Sequence, residues 1–378
     1  MKLFRIRAVA RKELLHIVRD PRSLGMAVAI PMLLLVLFGF ALTLDVDRVP
    51  LAVWDQSATP ESRALVNRFD GSRYFEIRVA VRDDRELERA IDDRRALAAL
   101  VVPVDFADRL ASGRDAPVQL VVDGSDANTA TLAMAYARAV AAAHSREIAV
   151  AAAPRGAGAT VAAPIELRSR VWFNTQLESR NYIIPGLIAV IMMVIAALLT
   201  SLTISREWER GTMEQLISTP VRGPELILGK LVPYFAIGLL DVALAVLMGT
   251  VVFHVPLRGS LVLLFGMAAL FLTGALSIGM LVSIVARNQL LATQMAVVMT
   301  FLPSFLLSGF MFAIANMPRP IRVFTYLIPA RYFVALLKGI YLKGTGLRIL
   351  GAEAALLALF SAGVLAAALV RFRKKMTA

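Results

Sequence analysis

The chain has 378 residues, 58% of them hydrophobic and 18% charged, where a soluble domain usually carries nearer ~25% charge. Its net charge of +13 comes from basic residues gathered at the ends of apolar stretches, where they meet anionic lipid, so nucleic acid is not an expected partner. With no cysteine it has no disulfide, thiolate or cysteine-ligated metal chemistry, and His16, His144 and His254 lie too far apart in sequence to suggest a metal site.

Residues 3–19 predict an amphipathic helix. Leu3, Ile6, Ala10, Leu14 and Ile17 share one face, and Arg5, Lys12, His16 and Arg19 fall opposite. Asp20-Pro21 ends it, and a basic helix of this kind lies flat on a membrane surface. Six stretches then reach the ~20 apolar residues that a helix needs to cross a bilayer core about 30 Å thick. They are Leu24–Leu44, Tyr182–Ile204, Leu231–Phe253, Ser260–Ala286, Leu290–Phe312 and Gly351–Val370. The expected fold class is an all-α polytopic membrane protein with six transmembrane helices and an N-terminal interfacial helix. No small-residue cleavage site follows the first span, which reads as a retained anchor. Residues 1–23 and the tail 371–378 are both basic, which places both termini in the cytoplasm. Residues 45–181 and 313–350 then lie outside, and 205–230 and 287–289 inside.

Between the first two spans, 45–181 reads as a small α/β (or α+β) domain. Strands are predicted at Pro50–Trp54, Tyr74–Val81, Leu97–Val102 and Val118–Val122, and helices at Asp84–Arg95, Asp105–Ser112 and Asn128–Ala152. Ala151–Ala163, rich in Ala, Gly and Pro, is expected to be a return linker. The run from Asp123 to Asn128 lacks the closing Glu of a calcium loop and is better read as a turn and helix cap.

In the first inner loop, Thr212 with Gln215 forms a capping-box pattern, which predicts a short helix from near Met213 to Pro220. Arg206, Glu207, Glu209 and Arg210 are expected to project from the end of the second span. Asp241 lies in the middle of the third span. A charge there costs about 2.5–3.5 kcal/mol, so it should face the bundle interior, hydrogen-bonded to a neighbouring helix, with proton coupling or cation binding as the functional alternative. Met299, Phe305 and Phe310, with Ser304 and Ser308, give the fifth span an adaptable surface for a translocation pathway, and Pro303 lets that helix bend. The apolar but basic segment 313–350 predicts helices lying in or dipping into the outer interface. Tyr326, Tyr332, Phe333 and Tyr341 are its expected aromatic anchors.

No G-x-x-x-x-G-K-[ST] occurs, so the chain has no P-loop for nucleotide, and no G-x-S-x-G or H-E-x-x-H points to covalent chemistry. Several segments in order resemble the ABC type-2 permease family, the membrane subunits of ATP-binding-cassette exporters. Arg11-Lys12-Glu13-Leu14 through Arg19-Asp20-Pro21 is similar to that family's interfacial helix. Glu207-Trp208-Glu209-Arg210-Gly211-Thr212-Met213-Glu214-Gln215-Leu216 is similar to its coupling helix, and Asn181-Tyr182-Ile183-Ile184-Pro185-Gly186 to the start of its second span. Leu302 to Phe310, Asn316-Met317-Pro318 and Ile328 to Phe333 resemble its fifth span and outer helices. The large domain after the first span places the chain with the drug-exporter-like subgroup.

The resemblance implies a half-transporter of the bacterial inner membrane, itself no enzyme and free of cofactors. A homodimer, or a heterodimer with a related permease, would export a hydrophobic or amphiphilic compound. Two copies of an ABC ATPase subunit, holding ATP and Mg, would grip the coupling helix. A periplasmic adaptor and an outer-membrane channel would complete the route. Glu207, Glu209 and Glu214 would bond polar groups of the ATPase groove, Leu216 and Ile217 would pack into it, Gly211 would allow the turn, and Arg210, Thr212 and Gln215 complete the coupling set. The alternative is an ion-coupled carrier without an ATPase partner, which predicts several intramembrane charges.

Overall fold

The computed structural model describes residues 2–42, 48–125, 127–152 and 178–372. The chain divides into two compact units, one made of Met1–Thr43 with Val171–Ala378 and the other of Leu44–Arg170. Helix α1 (Leu3–Arg19) is the helix that the spacing predicts, and α2 (Pro21–Ala41) follows directly after Asp20. α2 starts earlier than its apolar run because Pro21 fits the first turn, where its missing N–H leaves no bond unmade.

The second unit runs β1 (Val49–Asp55), α3 (Pro60–Asp70), β2 (Phe75–Ala80), α4 (Asp84–Asp92), β3 (Ala98–Val102), α5 (Phe106–Ala111), β4 (Gln119–Val122) and α6 (Ala127–Ala152). The strand order is β2-β1-β3-β4, parallel except for the antiparallel β3–β4 pair. β3 (AALVV) is buried along its whole length because helices cover both faces of the sheet. Leu87 and Ala90 of α4 pack on one face, and Leu65 and Phe69 of α3, Phe106 of α5 and Ala133 of α6 on the other.

The four strands coincide with the predicted ones to within a residue or two, whereas α3 was not expected. Its signal is Thr59 before Pro60. The Thr59 hydroxyl accepts from Ser62 N at 3.2 Å, and the Ser62 hydroxyl accepts from Thr59 N at 3.0 Å. Asp123 accepts from Ser125 N at 2.9 Å in the turn before α6. Asp126 of that turn, the linker over 153–163 and the basic tail from Arg373 lie outside the described residues.

The first unit continues with α7 (Ser179–Glu209), α8 (Thr212–Ser218), α9 (Gly223–Val251), α10 (Leu261–Ala286), α11 (Gln289–Leu307), α12 (Arg319–Phe324), α13 (Pro329–Lys338) and α14 (Leu347–Arg371). Among the described residues six helices, α2, α7, α9, α10, α11 and α14, are long and apolar enough to cross a membrane. α7 is the axis of this bundle. α10 crosses it at Gly279, where an added Cβ would come within 2.1 Å of Ala197 O. Thr200 Oγ1 donates to Leu276 O at 2.8 Å, and Ser283 Oγ accepts from Ile204 N and Ser205 N at 2.9 Å each. Lipid tails are as apolar as Leu, so close approach at small residues and interhelical hydroxyl bonds hold such helices together.

Two helices overrun the hydrocarbon. The 31 residues of α7 span about 46 Å and the 29 of α9 about 43 Å, against a core of about 30 Å. The surplus turns absorb half of the loop expected over 205–230 and carry Arg206, Glu207, Glu225 and Lys230. α11, by contrast, ends at Leu307 rather than Phe312, and Gly309 at φ +79° turns the chain away.

Beyond it, Arg319–Leu327 and Pro329–Lys343 form a helix pair bent by 88°. Arg331 lies over the Tyr326 ring at 3.7 Å, and Lys338 Nζ sits 3.3 Å from the Tyr182 ring centroid while donating to Gly309 O at 3.0 Å. The expected anchoring role of the aromatic residues here is not what the packing shows. Phe333 and Tyr341 are wholly buried, Tyr332 nearly so, and Phe333 stacks on Phe271 at 4.1 Å; of the four, Tyr326 is the exposed one. Seven of the ten residues of α13 are buried, so α13 is core, whereas every residue of α12 is exposed.

Candidate functional site

The surplus turns of α7 and α9 converge on α1 and α8. Gly211 joins α7 to α8 at φ +70°, a left-handed conformation that favours glycine. Thr212 opens α8, but the predicted capping box does not form. The Thr212 hydroxyl instead bonds the Glu207 carboxylate one turn back. Met213 is buried and Leu216 half-buried against the core, which fastens α8 to the bundle. Glu214, Gln215 and Ser218 are exposed.

Behind α8 lies a buried charge cluster. Lys230 of α9, 2% exposed, donates to Glu207 Oε1 of α7 at 3.1 Å, to Glu13 Oε2 of α1 at 3.2 Å and to Thr203 O at 3.3 Å. Tyr234 donates to Glu13 Oε1 at 3.2 Å, and Lys12 stands 3.5 Å from Glu207. Removing charges from water is tolerable only when each finds a partner, and here two carboxylates meet two ammonium groups. Glu207 therefore faces into the protein and is not free to face a partner chain.

The other end of α8 is held as well. Arg5 donates to Pro220 O and pairs with Glu225 at 3.5 Å, while Glu225 accepts from Lys2 N at 2.8 Å and Arg222 N at 2.9 Å. α1 thus straps both ends of α8. It lies close to α9 because Gly229 has no side chain; an added Cβ there would come within 2.6 Å of Val9 Cβ. The apolar stripe of α1 divides accordingly. Ile6, Val9 and Ile17 turn inward with Glu13, and Leu3, Phe4, Leu14, Leu15 and Val18 remain exposed.

The remaining predicted site residues do not form one surface. Glu209 accepts from Gln289 Nε2 at 2.8 Å and from Gln289 N at 3.2 Å, which ties α7 to the start of α11, and Arg210 is exposed. Asp241 is 1% exposed, and among the described residues the interhelical hydrogen bond expected for it is not made, since neither carboxyl oxygen has a partner there. Met299 lies on a shallow groove with Val282, Val285 and Val370. Phe310 is buried elsewhere, against Gly186 and 5.7 Å from Phe305. Ser304 is buried, and Ser308 accepts from Phe310 N at 3.2 Å. Pro303 sits inside α11, one turn before its end.

The family model described as ABC-2 family transporter protein matches residues 21–370. The chain belongs to the ABC-2 transporter family. This ABC-2 chain is 40% identical over 342 residues to the Escherichia coli (strain K12) protein named probable multidrug ABC transporter permease YbhS, covering 90% of the chain and 89% of the relative. It is 28% identical over 372 residues to the probable multidrug ABC transporter permease YbhR of the same strain, covering 98% and 99%. Inner membrane transport permease YhhJ, also of that strain, is 25% identical over 358 residues, 91% of the chain and 92% of the relative.

Lys230 and Tyr234 of this ABC-2 chain, and Glu13 as their partner, were not singled out by residue-level reading. Lys230 stands at the end of a stretch whose polar pattern predicts a loop. A signal was present in Pro224 and Glu225, which suit a first helical turn, followed by apolar Leu226 and Ile227 before the hydrophobic run. Nothing local marks Glu13 as inward-facing, because its partners Lys230 and Tyr234 stand 217 and 221 residues away.

Proposed function

We propose that this chain is the membrane subunit of an ATP-driven exporter of the multidrug type, and that α8 is where a separate ATPase subunit engages it. The observation that carries the reading is the mounting of α8. One end is bonded through Thr212 and Glu207 to Lys230 and Glu13, and the other through Pro220 to Arg5. A displacement of α8 therefore either breaks buried ionic contacts or carries α1, α7 and α9 with it. Breaking them is expensive, so concerted motion is favoured. ATP bound by the partner and compound bound by the bundle then bias the same two-state element. Arg210, Glu214 and Gln215 are the side chains left exposed to meet the ATPase, with Gly211 setting the turn. This reading revises the contact set expected from sequence, since Glu207 and Leu216 are committed inward.

In this arrangement α8 and both termini lie on the cytoplasmic side of a bacterial inner membrane. The exposed Phe4, Leu15 and Val18 rest α1 on lipid while its basic residues meet the headgroups. A second permease, identical or related, completes the pathway, and an adaptor with an outer-membrane channel extends it.

The test uses the absence of cysteine. A single Gln215→Cys should react with a membrane-impermeant maleimide only in inside-out vesicles. The chain should co-purify a P-loop ATPase from detergent, and Glu214→Ala with Gln215→Ala should lower transport-stimulated ATP hydrolysis about tenfold while leaving chain levels unchanged. Labelling of Gln215→Cys in right-side-out cells, or export by the purified chain with no ATPase, overturns the proposal.

A further inference from the structure

A cavity of about 430 Å³ opens between α1, α2, α7 and α9, within the roughly 300–1,000 Å³ of ligand clefts. Its two ends differ in chemistry. One wall is apolar, formed by Ala27 and Ile30 of α2 with Leu199 and Leu202 of α7. The mouth is charged, and its balance is positive. Glu13 and Glu207 line it but are already bonded to Lys230, and Asp20 is the one further acid. Arg206 and Arg210 also line the mouth, and neither has a carboxylate within 4.0 Å among the described residues. The strongest bond of Arg206 is a long one, 3.4 Å from Nε to Gln289 Oε1. Two guanidinium groups without acids beside an apolar wall are complementary to one kind of molecule, since guanidinium forks suit phosphate and carboxylate oxygens.

We propose that this cavity binds an amphiphile with an anionic phosphate or carboxylate head and an alkyl tail. The head meets Arg206 and Arg210, and the tail lies along Ala27, Ile30, Leu199 and Leu202. The site sits directly on the cluster that mounts α8, because Lys12, Thr212 and Lys230 line the same space. An occupant therefore touches the groups whose arrangement the ATPase would change. As a substrate class, this rests on the exporter reading above; as a binding site, it stands without it.

The experiment uses the purified full chain in phosphatidylcholine nanodiscs with no ATPase present. The probe is decyl phosphate carrying a chain diazirine, with cross-links mapped by mass spectrometry. Labels are expected on α2 and α7 around Ala27, Ile30, Leu199 and Leu202. Unlabelled decyl phosphate should compete, and each methylene added to the competitor should strengthen it about fourfold until the wall is covered. Inorganic phosphate and decyl maltoside should each compete at least about tenfold less well.

Arg206→Gln with Arg210→Gln should weaken labelling about tenfold or more. Ala27→Trp, which fills the tail region and leaves the mouth intact, should abolish it while the chain still runs as a single species on size exclusion. Displacement by phosphatidylglycerol in the disc identifies the source as bilayer lipid, and persistence identifies a water-borne amphiphile; either upholds the site. Equal competition by decyl maltoside, equal competition by inorganic phosphate, or labels confined to other helices overturns it. None of these results depends on a nucleotide-hydrolysing partner, so the coupling proposal fails or stands separately.

Discussion

Replacing Lys230 by Met tests whether the buried cluster behaves as a unit. Lys230 is nine-tenths and more out of water and is, among the described residues, the sole cation within bonding distance of Glu13. Lys230→Met keeps the length and apolar stem but leaves two carboxylates facing each other, with only Lys12, at 3.5 Å from Glu207, as counter-charge. Removing one partner from a buried ionic contact costs about 3–5 kcal/mol, because the other charge stays buried and uncompensated. The double variant Lys230→Met with Glu13→Gln removes the stranded charge as well. It should recover most of that loss and sit within about 1–2 kcal/mol of the parent, since a neutral amide can still accept from Tyr234. The free energies come from SDS titration in mixed micelles, followed by circular dichroism, on all four members of the cycle. A coupling of about 2–3 kcal/mol is expected for groups in direct contact. A single variant within about 0.5 kcal/mol of the parent, or a double variant no better than the single, would refute the idea that these charges form one structural element.

Other expectations can be checked alongside. Gly229→Val should push α1 off α9, because its Cβ meets Val9 Cβ at 2.6 Å, and α1 should then become the first site of limited proteolysis; Gly266→Ala, where nothing among the described residues lies within 4 Å, should not change the digestion pattern. Gly211→Val should lose more stimulated ATP hydrolysis than Gly211→Asn, since the added Cβ meets nothing among the described residues within 4 Å and the effect must come from the left-handed backbone, which Asn tolerates. Asp241→Leu should leave the unfolding midpoint of the isolated chain unchanged or higher, because it replaces a carboxyl that has no partner among the described residues with an apolar group; a clear fall would show that the carboxyl has a partner.

The sequence by itself determined the six apolar stretches, the amphipathic first helix, the strands of the small sheet and the short helix after the second span. Each rests on a local property: the length of an apolar run, a period of 3.6 or 2 residues, or a proline or glycine at a boundary. Boundaries failed where tertiary contacts override local pattern. α9 begins at Gly223 because Glu225 and Lys230 find partners on α1 and α7, which turns an apparently polar loop into the first two turns of a helix. α11 ends early because Gly309 adopts φ +79°, with its carbonyl then taken by Lys338 and Tyr182.

Only the tertiary structure decided which charges are available. Glu207 and Glu214 are equivalent in composition and seven residues apart, yet Glu207 is bonded to Lys230 and Glu214 is exposed. The difference arises because the end of α7 lies against α9 and brings Glu207 to Lys230, while Gly229 admits α1 close enough to add Glu13 to the same ammonium group. Long-range packing sets such pairings, and no local spacing encodes a contact between residues 13 and 230.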